Sequence, residues 1–134
     1  MSYEIISHTA DLKIKITADN LKSLFIEALR AMMETLSKKT KKETSVARKI
    51  FVTAPDKTTL LVDFLNETLA LTQVNKEIYS KINFLKFSEN HLEADIEGQK
   101  IEKFDEDIKA ATYHEADIRQ NKEGRWETIL IFDI

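Results

Sequence analysis

Four short segments carry the side chains best suited to chemistry. They are His8-Thr9-Ala10-Asp11, Leu61-Val62-Asp63-Phe64-Leu65-Asn66-Glu67, Ile108-Lys109-Ala110-Ala111-Thr112-Tyr113-His114 and Phe132-Asp133-Ile134. Carboxylates such as Asp11 and Asp133 bind hard cations through oxygen, which suits calcium or magnesium, and also manganese, better than zinc. Imidazoles such as His8 and His114 titrate near neutral pH and serve as general bases or metal ligands. A lysine such as Lys109 can pair with a carboxylate or reach a phosphate. Each group also has a plainer role. Asp11 can cap the turn beside it, and Asp133 can solvate a chain end. His8 and His114 can be hydrogen-bonding spacers beside strands, His91 a turn residue, and Lys109 a solvated strand lysine. Asp63 and Glu67 stand four apart and are neighbours on a helix surface. That spacing is too common to signal catalysis, so they and Asn66 are assigned to structure.

Several activities find no support. No G-x-x-x-x-G-K-[ST] or G-x-G-x-x-G segment is present to cradle phosphates, which argues against independent nucleotide hydrolysis. No G-x-S-x-G element occurs, and without cysteine there is no thiol nucleophile, disulfide or thiolate zinc site. The chain of 134 residues carries 20 basic and 23 acidic residues, a net charge of -3, so it is not a general nucleic-acid binder. The charge is uneven. Lys38, Lys39, Lys41, Lys42, Arg48 and Lys49 fall close together, and Glu102, Asp105, Glu106 and Asp107 form an acidic counterpart. Such runs are usually solvated loops; a contact between the basic one and RNA is the functional alternative. The start of the chain lacks a basic stretch followed by an apolar one, and no apolar run is long enough to span a bilayer. A cytoplasmic protein is expected.

The elements that must position these groups follow from periodicity. A hydrophobic content of 43% supports a packed core, and one domain over 1–134 is the simplest organisation. Lys13-Ile14-Lys15-Ile16-Thr17 alternates as a half-buried strand does. Asp19 and Asn20 offer cap oxygens. Leu21, Leu24, Phe25, Ala28, Leu29, Met32 and Leu36 then recur at helical spacing. Residues 47–53 suggest a second strand, and Pro55-Asp56 starts a second helix bearing Leu60, Leu61, Phe64, Leu65, Thr68, Leu69 and Leu71. Strands are expected over 78–87 and 92–96, joined at Asn90-His91, and over 108–118 and 126–133, joined at Asn121-Lys122-Glu123-Gly124. The run Ile129-Leu130-Ile131-Phe132 suggests a central strand buried on both faces. The order predicts an α+β protein with two helices packed on a mostly antiparallel (mixed) sheet.

Taken together, the four segments resemble the archease family. Its members open with an HTAD-type motif, carry an LLVDxLNE helix and an (I/V)KAxTYH strand, and close on Asp-Ile or Asp-Val. The resemblance covers essentially the whole chain, with the motifs in order. Departures are Leu12-Lys13 where a small residue usually follows the acid, Ala18-Asp19-Asn20 where glycine is usual before the first helix, and the acidic Phe104-Asp105-Glu106-Asp107 before the lysine strand.

The resemblance implies a duplicated strand-helix-strand-strand fold. It also implies an accessory factor, with no catalytic residues of its own, for an RtcB-type RNA ligase. That factor promotes ligase guanylylation and multiple turnover in tRNA splicing or RNA repair, meeting tRNA through the ligase. It further implies a divalent cation, calcium in the family's crystals with magnesium or manganese as alternatives, held by Asp11, Asp133 and the terminal carboxylate of Ile134. Lys109 is a family position linked to activity, and His8 is a possible auxiliary. Two rivals are a metal-dependent phosphoester hydrolase and an RNA-binding module using the basic loop.

Overall fold

In the computed structural model the residues described are 1–8, 11–38 and 45–134, with His8 described by its backbone alone. Ten elements follow in order: β1 (Ser2–His8), β2 (Asp11–Ala18), α1 (Leu21–Leu36), β3 (Val46–Thr53), α2 (Lys57–Asn75), β4 (Glu77–Phe87), β5 (His91–Lys100), β6 (Ala110–Thr112), β7 (Arg119–Gln120) and β8 (Trp126–Asp133).

The alternation in β2 does what the pattern demands. Leu12, Ile14, Ile16 and Ala18 are fully buried, while Asp11, Lys13, Lys15 and Thr17 line the other face. Asn20 caps α1, its Oδ1 accepting from the Ser23 N–H at 2.8 Å. Asp56 caps α2 in the same way through the Thr59 N–H at 2.8 Å, and that hydrogen bond lowers the Asp56 pKa. Such a cap contributes about 1 kcal/mol to helix stability. Lys76, in the left-handed region at φ 53°, ends α2 and turns the chain into β4. Among the described residues no helix is long and apolar enough to cross a membrane.

The expected α+β arrangement of two helices on mostly antiparallel sheet is present, and its strands divide into two sheets, antiparallel in every pairing among the described residues. One has the order β1-β2-β8-β6, with β7 also on β8; the other is β3-β5-β4. The second sheet is built wholly from the contiguous unit β3-α2-β4-β5. The first is begun by β1, β2 and α1 and completed only by β6 to β8, after that unit has intervened. Each helix touches both sheets, α1 on β2 and β4, α2 on β3 and β6. Leu24, Phe25, Leu60, Phe64, Ile96, Leu130 and Phe132 therefore share one core.

Three local differences matter for the site. β1 has no alternating signature, because a bulge at Ile5–Ser7 leaves Ile5 and Ile6 exposed side by side. The strand expected over 108–118 pairs only over Ala110–Thr112. The chain then turns, Glu115 takes φ 57°, and pairing resumes at Arg119. β8 is central but buried on one face only: Thr128, Leu130 and Phe132 face the core, and Ile129 and Ile131 are half-buried on the other side.

Candidate metal centre

The start of β2 and the end of β8 meet at one corner of the larger sheet. Asp11, the first residue of β2, is the direct cross-strand partner of Asp133, the last residue of β8. On its other side Asp133 is paired with Ala110 of β6, and its carbonyl accepts the Lys109 N–H at 2.7 Å. Asp133 is therefore held from both flanks rather than lying at a frayed end. Because strands alternate, Asp11 and Asp133 project from the face opposite Leu12 and Phe132, away from the core. Asp11 is half-buried and Asp133 exposed.

Opposition of two like charges in this register is ordinarily unfavourable. Directly opposed residues on one sheet face carry their Cβ atoms about 5 Å apart, and like charges there repel. Among the described residues neither carboxylate has a hydrogen-bond or ion-pair partner. The nearest base on the same face of β2 is Lys13, whose Nζ is engaged by Glu115 at 3.0 Å. The described donors at this corner are oxygens, a set that suits calcium, magnesium or manganese. They are few: no cluster of three His, Cys, Asp or Glu side chains occurs among the described residues. A cation here would draw further oxygens from the main chain of Ile134, which is half-buried against the core, and from water.

The other candidates fall as follows. The Lys109 side chain is exposed beside this corner. The His8 backbone pairs with Leu12, next to Asp11, but its side chain, Thr9 and Ala10 lie outside the described residues. His114 is exposed in the turn after β6. His91 is in the other sheet, edge-to-face with Phe51, its ring nitrogens on Thr53 Oγ1 and Glu93 Oε2. In the basic stretch, Lys39, Lys41 and Lys42 lie outside the described residues. Arg48 and Lys49 are each paired with an acid, Glu77 and Asp95. Asp105, from the acidic stretch, accepts the Lys38 N–H at 2.8 Å through its carboxylate and donates its own N–H to the Leu36 carbonyl.

The α2 motif proves to hold the lysine segment. Asn66 Nδ2 donates to the Ala111 carbonyl at 2.9 Å, and the Ala111 N–H donates to Asn66 Oδ1 at 2.8 Å. Gln73 Nε2 donates to the Ile108 carbonyl at 2.7 Å. The Tyr113 hydroxyl donates to Asp63, and that hydrogen bond pushes the phenol pKa up. A surface spacing could not reveal this partner, because Ala111 is 45 residues away in the chain.

Two antiparallel sheets bridged by two helices, with opposed carboxylates at an open corner, define an α+β protein with a candidate hard-cation edge. The archease protein family model matches residues 3–134. The archease of Methanosarcina acetivorans is 30% identical, with 98% of this chain and 95% of the relative covered. That of Pyrococcus abyssi is 30% identical with 98% of each covered. The chain belongs to the archease family. Its fold is similar to the solution structure of protein 1598 from Methanobacterium thermoautotrophicum, at a TM-score of 0.80 and 24% identity over 98% of each chain. It is also similar to the crystal structure of an archease, possible chaperone, from Thermotoga maritima, at a TM-score of 0.65 and 22% identity over 98% of this chain and 96% of that one.

Proposed function

We propose that this protein is a cytoplasmic accessory factor for an RtcB-type RNA ligase, promoting guanylylation and repeated turnover in tRNA splicing or RNA repair. Membership of the archease family supports an accessory role, and the wording used for the Thermotoga structure, possible chaperone, is compatible with a helper. The observation that carries the reading is the direct opposition of Asp11 and Asp133 at an open corner, next to Lys109. In this proposal Asp11, Asp133 and the main-chain oxygens of Ile134 hold a divalent ion, calcium, magnesium or manganese. The ion supplies charge neutralisation and a Lewis-acidic contact for phosphate oxygens when bound. Asp11 and Asp133 orient it by their fixed register, and Lys109 adds a positive charge on the same corner for a phosphate brought by the ligase. His8, the last residue of β1, is an auxiliary.

The pairing of Arg48 with Glu77 and of Lys49 with Asp95 favours this over direct RNA binding, since both cations already have acidic partners. Reconstitution tests the proposal: a cognate RtcB-type ligase, GTP, divalent metal and cleaved tRNA halves, with and without this protein. Multiple-turnover ligation should rise when it is present and fall back with Asp11→Ala. Equal turnover in both arms sinks the proposal.

A further inference from the structure

The segment bearing Lys109 and Ala110 is short of support from its own sheet. β6 has three residues and, among the described residues, pairs with β8 on one side only. So brief a ladder does not hold register by itself. Its other edge faces α2, and there Asn66 uses both ends of its amide on the N–H and C=O of Ala111, at 2.8 and 2.9 Å. One side chain thereby takes the place of a neighbouring strand and closes an open sheet edge. Gln73, seven residues along α2 and two turns away on the same side, holds the Ile108 carbonyl at 2.7 Å. Asp63, one turn the other way, receives the Tyr113 hydroxyl. The three contacts bracket Lys109, whose N–H in turn holds the Asp133 carbonyl.

We infer that Asn66, backed by Gln73 and Asp63, is a positioning residue that sets Lys109 and Asp133 against Asp11 from the helix side of the sheet. This rests on the cation site proposed above and assigns its geometry to a helix that supplies it no ligand. The physical reason is tolerance: a cation site works only when its ligands are held within about half an ångström. The Asp133 end of β8 has one long strand, β2, and one short one, β6, to hold it. Loss of groups that orient ligands indirectly characteristically weakens metal binding about 10- to 100-fold.

The test combines two measurements on the full chain. Calcium and manganese affinities are read by calorimetry, and hydrogen exchange is followed at the Lys109 and Ala111 amides, with Ala94 of β5 as an internal reference. Asn66→Ala should weaken ion binding about 10- to 100-fold and speed Lys109 exchange while Ala94 stays protected. Asn66→Asp, which keeps the acceptor for the Ala111 N–H but loses the donor, should fall between. Gln73 is exposed, so Gln73→Ala keeps the fold even if an Asn66 variant does not, and it should shift both readouts the same way by less. A role confined to stability would speed Lys109 and Ala94 exchange together and overturn the inference. Unchanged Lys109 exchange in both alanine variants would overturn it too. If the unaltered protein takes up no ion, the cation site is lost, and the positioning of Lys109 stands or falls on exchange alone.

Discussion

Glu77 and the Asp11–Asp133 pair meet the same electrostatic problem in opposite ways. Glu77 opens β4 with no solvent exposure, and the fold surrounds it with partners. Arg48 from β3 grips it through Nε at 3.0 Å and Nη2 at 2.9 Å, and the buried Tyr79 hydroxyl donates at 2.8 Å. The Arg48 guanidinium holds the Glu77 carboxyl below the usual carboxylate range, and burial, with Glu77 beside it, pushes the Tyr79 phenol up. At the corner of the larger sheet two carboxylates are set directly opposite one another, with no ion-pair partner among the described residues. A charge taken out of water must be compensated by the protein itself. One left at an exposed corner can wait for compensation from outside. The first acid is structural; the second pair is where the proposed ion would sit.

The largest expected effect lies at the compensated centre. Glu77→Ala strands the buried Tyr79 hydroxyl and leaves Arg48 without its acid, and should cost about 3 kcal/mol in urea unfolding. A loss below about 1 kcal/mol would erase the contrast between the two centres. At the open corner, Asp11→Ala or Asp133→Ala should leave the fold intact while lowering calcium affinity about 100-fold or more in calorimetry, at least the upper end expected for losing a group that only orients a ligand. Retained affinity would remove the cation from the corner altogether.

A subtler outcome separates the centres by sign. In chelator-treated buffer Asp11→Asn removes a like-charge opposition and should raise stability by about 0.5 kcal/mol. A decrease in ion-free unfolding experiments would mean the pair is not repulsive. The smallest effects come from pH. The depressed Glu77 pKa contributes stability above its ordinary value of 4.5, and this is lost as pH falls through the lower folded value. The stability difference between the unaltered protein and Glu77→Gln should thus shrink only in acid. Tyr3 runs the other way. Burial and the Glu34 hydrogen bond raise its phenol from 10.0 to about 12, so its contribution is complete below 10.0 and lost as pH rises through 12. Tyr3→Phe should abolish that alkaline loss.

Much of the framework was legible from local pattern. The strict alternation of β2, the helical stripe of α1, and the Asn20 and Asp56 caps each record a requirement met within a few residues. β1 was not legible, because its bulge breaks the alternation and exposes neighbouring isoleucines. Nor was the brevity of β6, because an edge satisfied by Asn66 from a distant helix leaves no local trace. The same distance concealed why the motif around Asp63 and Asn66 exists.

Residue types and their order were enough to specify both helices and most of the strands, to make Asp11, Asp133 and Lys109 candidates, and to point to the family. Only the tertiary structure decided that the strands divide into two sheets and that Asp11 faces Asp133 in register. It alone decided that α2 braces the segment flanking Asp133 on the side away from Asp11. The reason is separation along the chain: periodicity reports which face of an element is buried, whereas pairing across more than a hundred residues depends on how all the buried faces fit together.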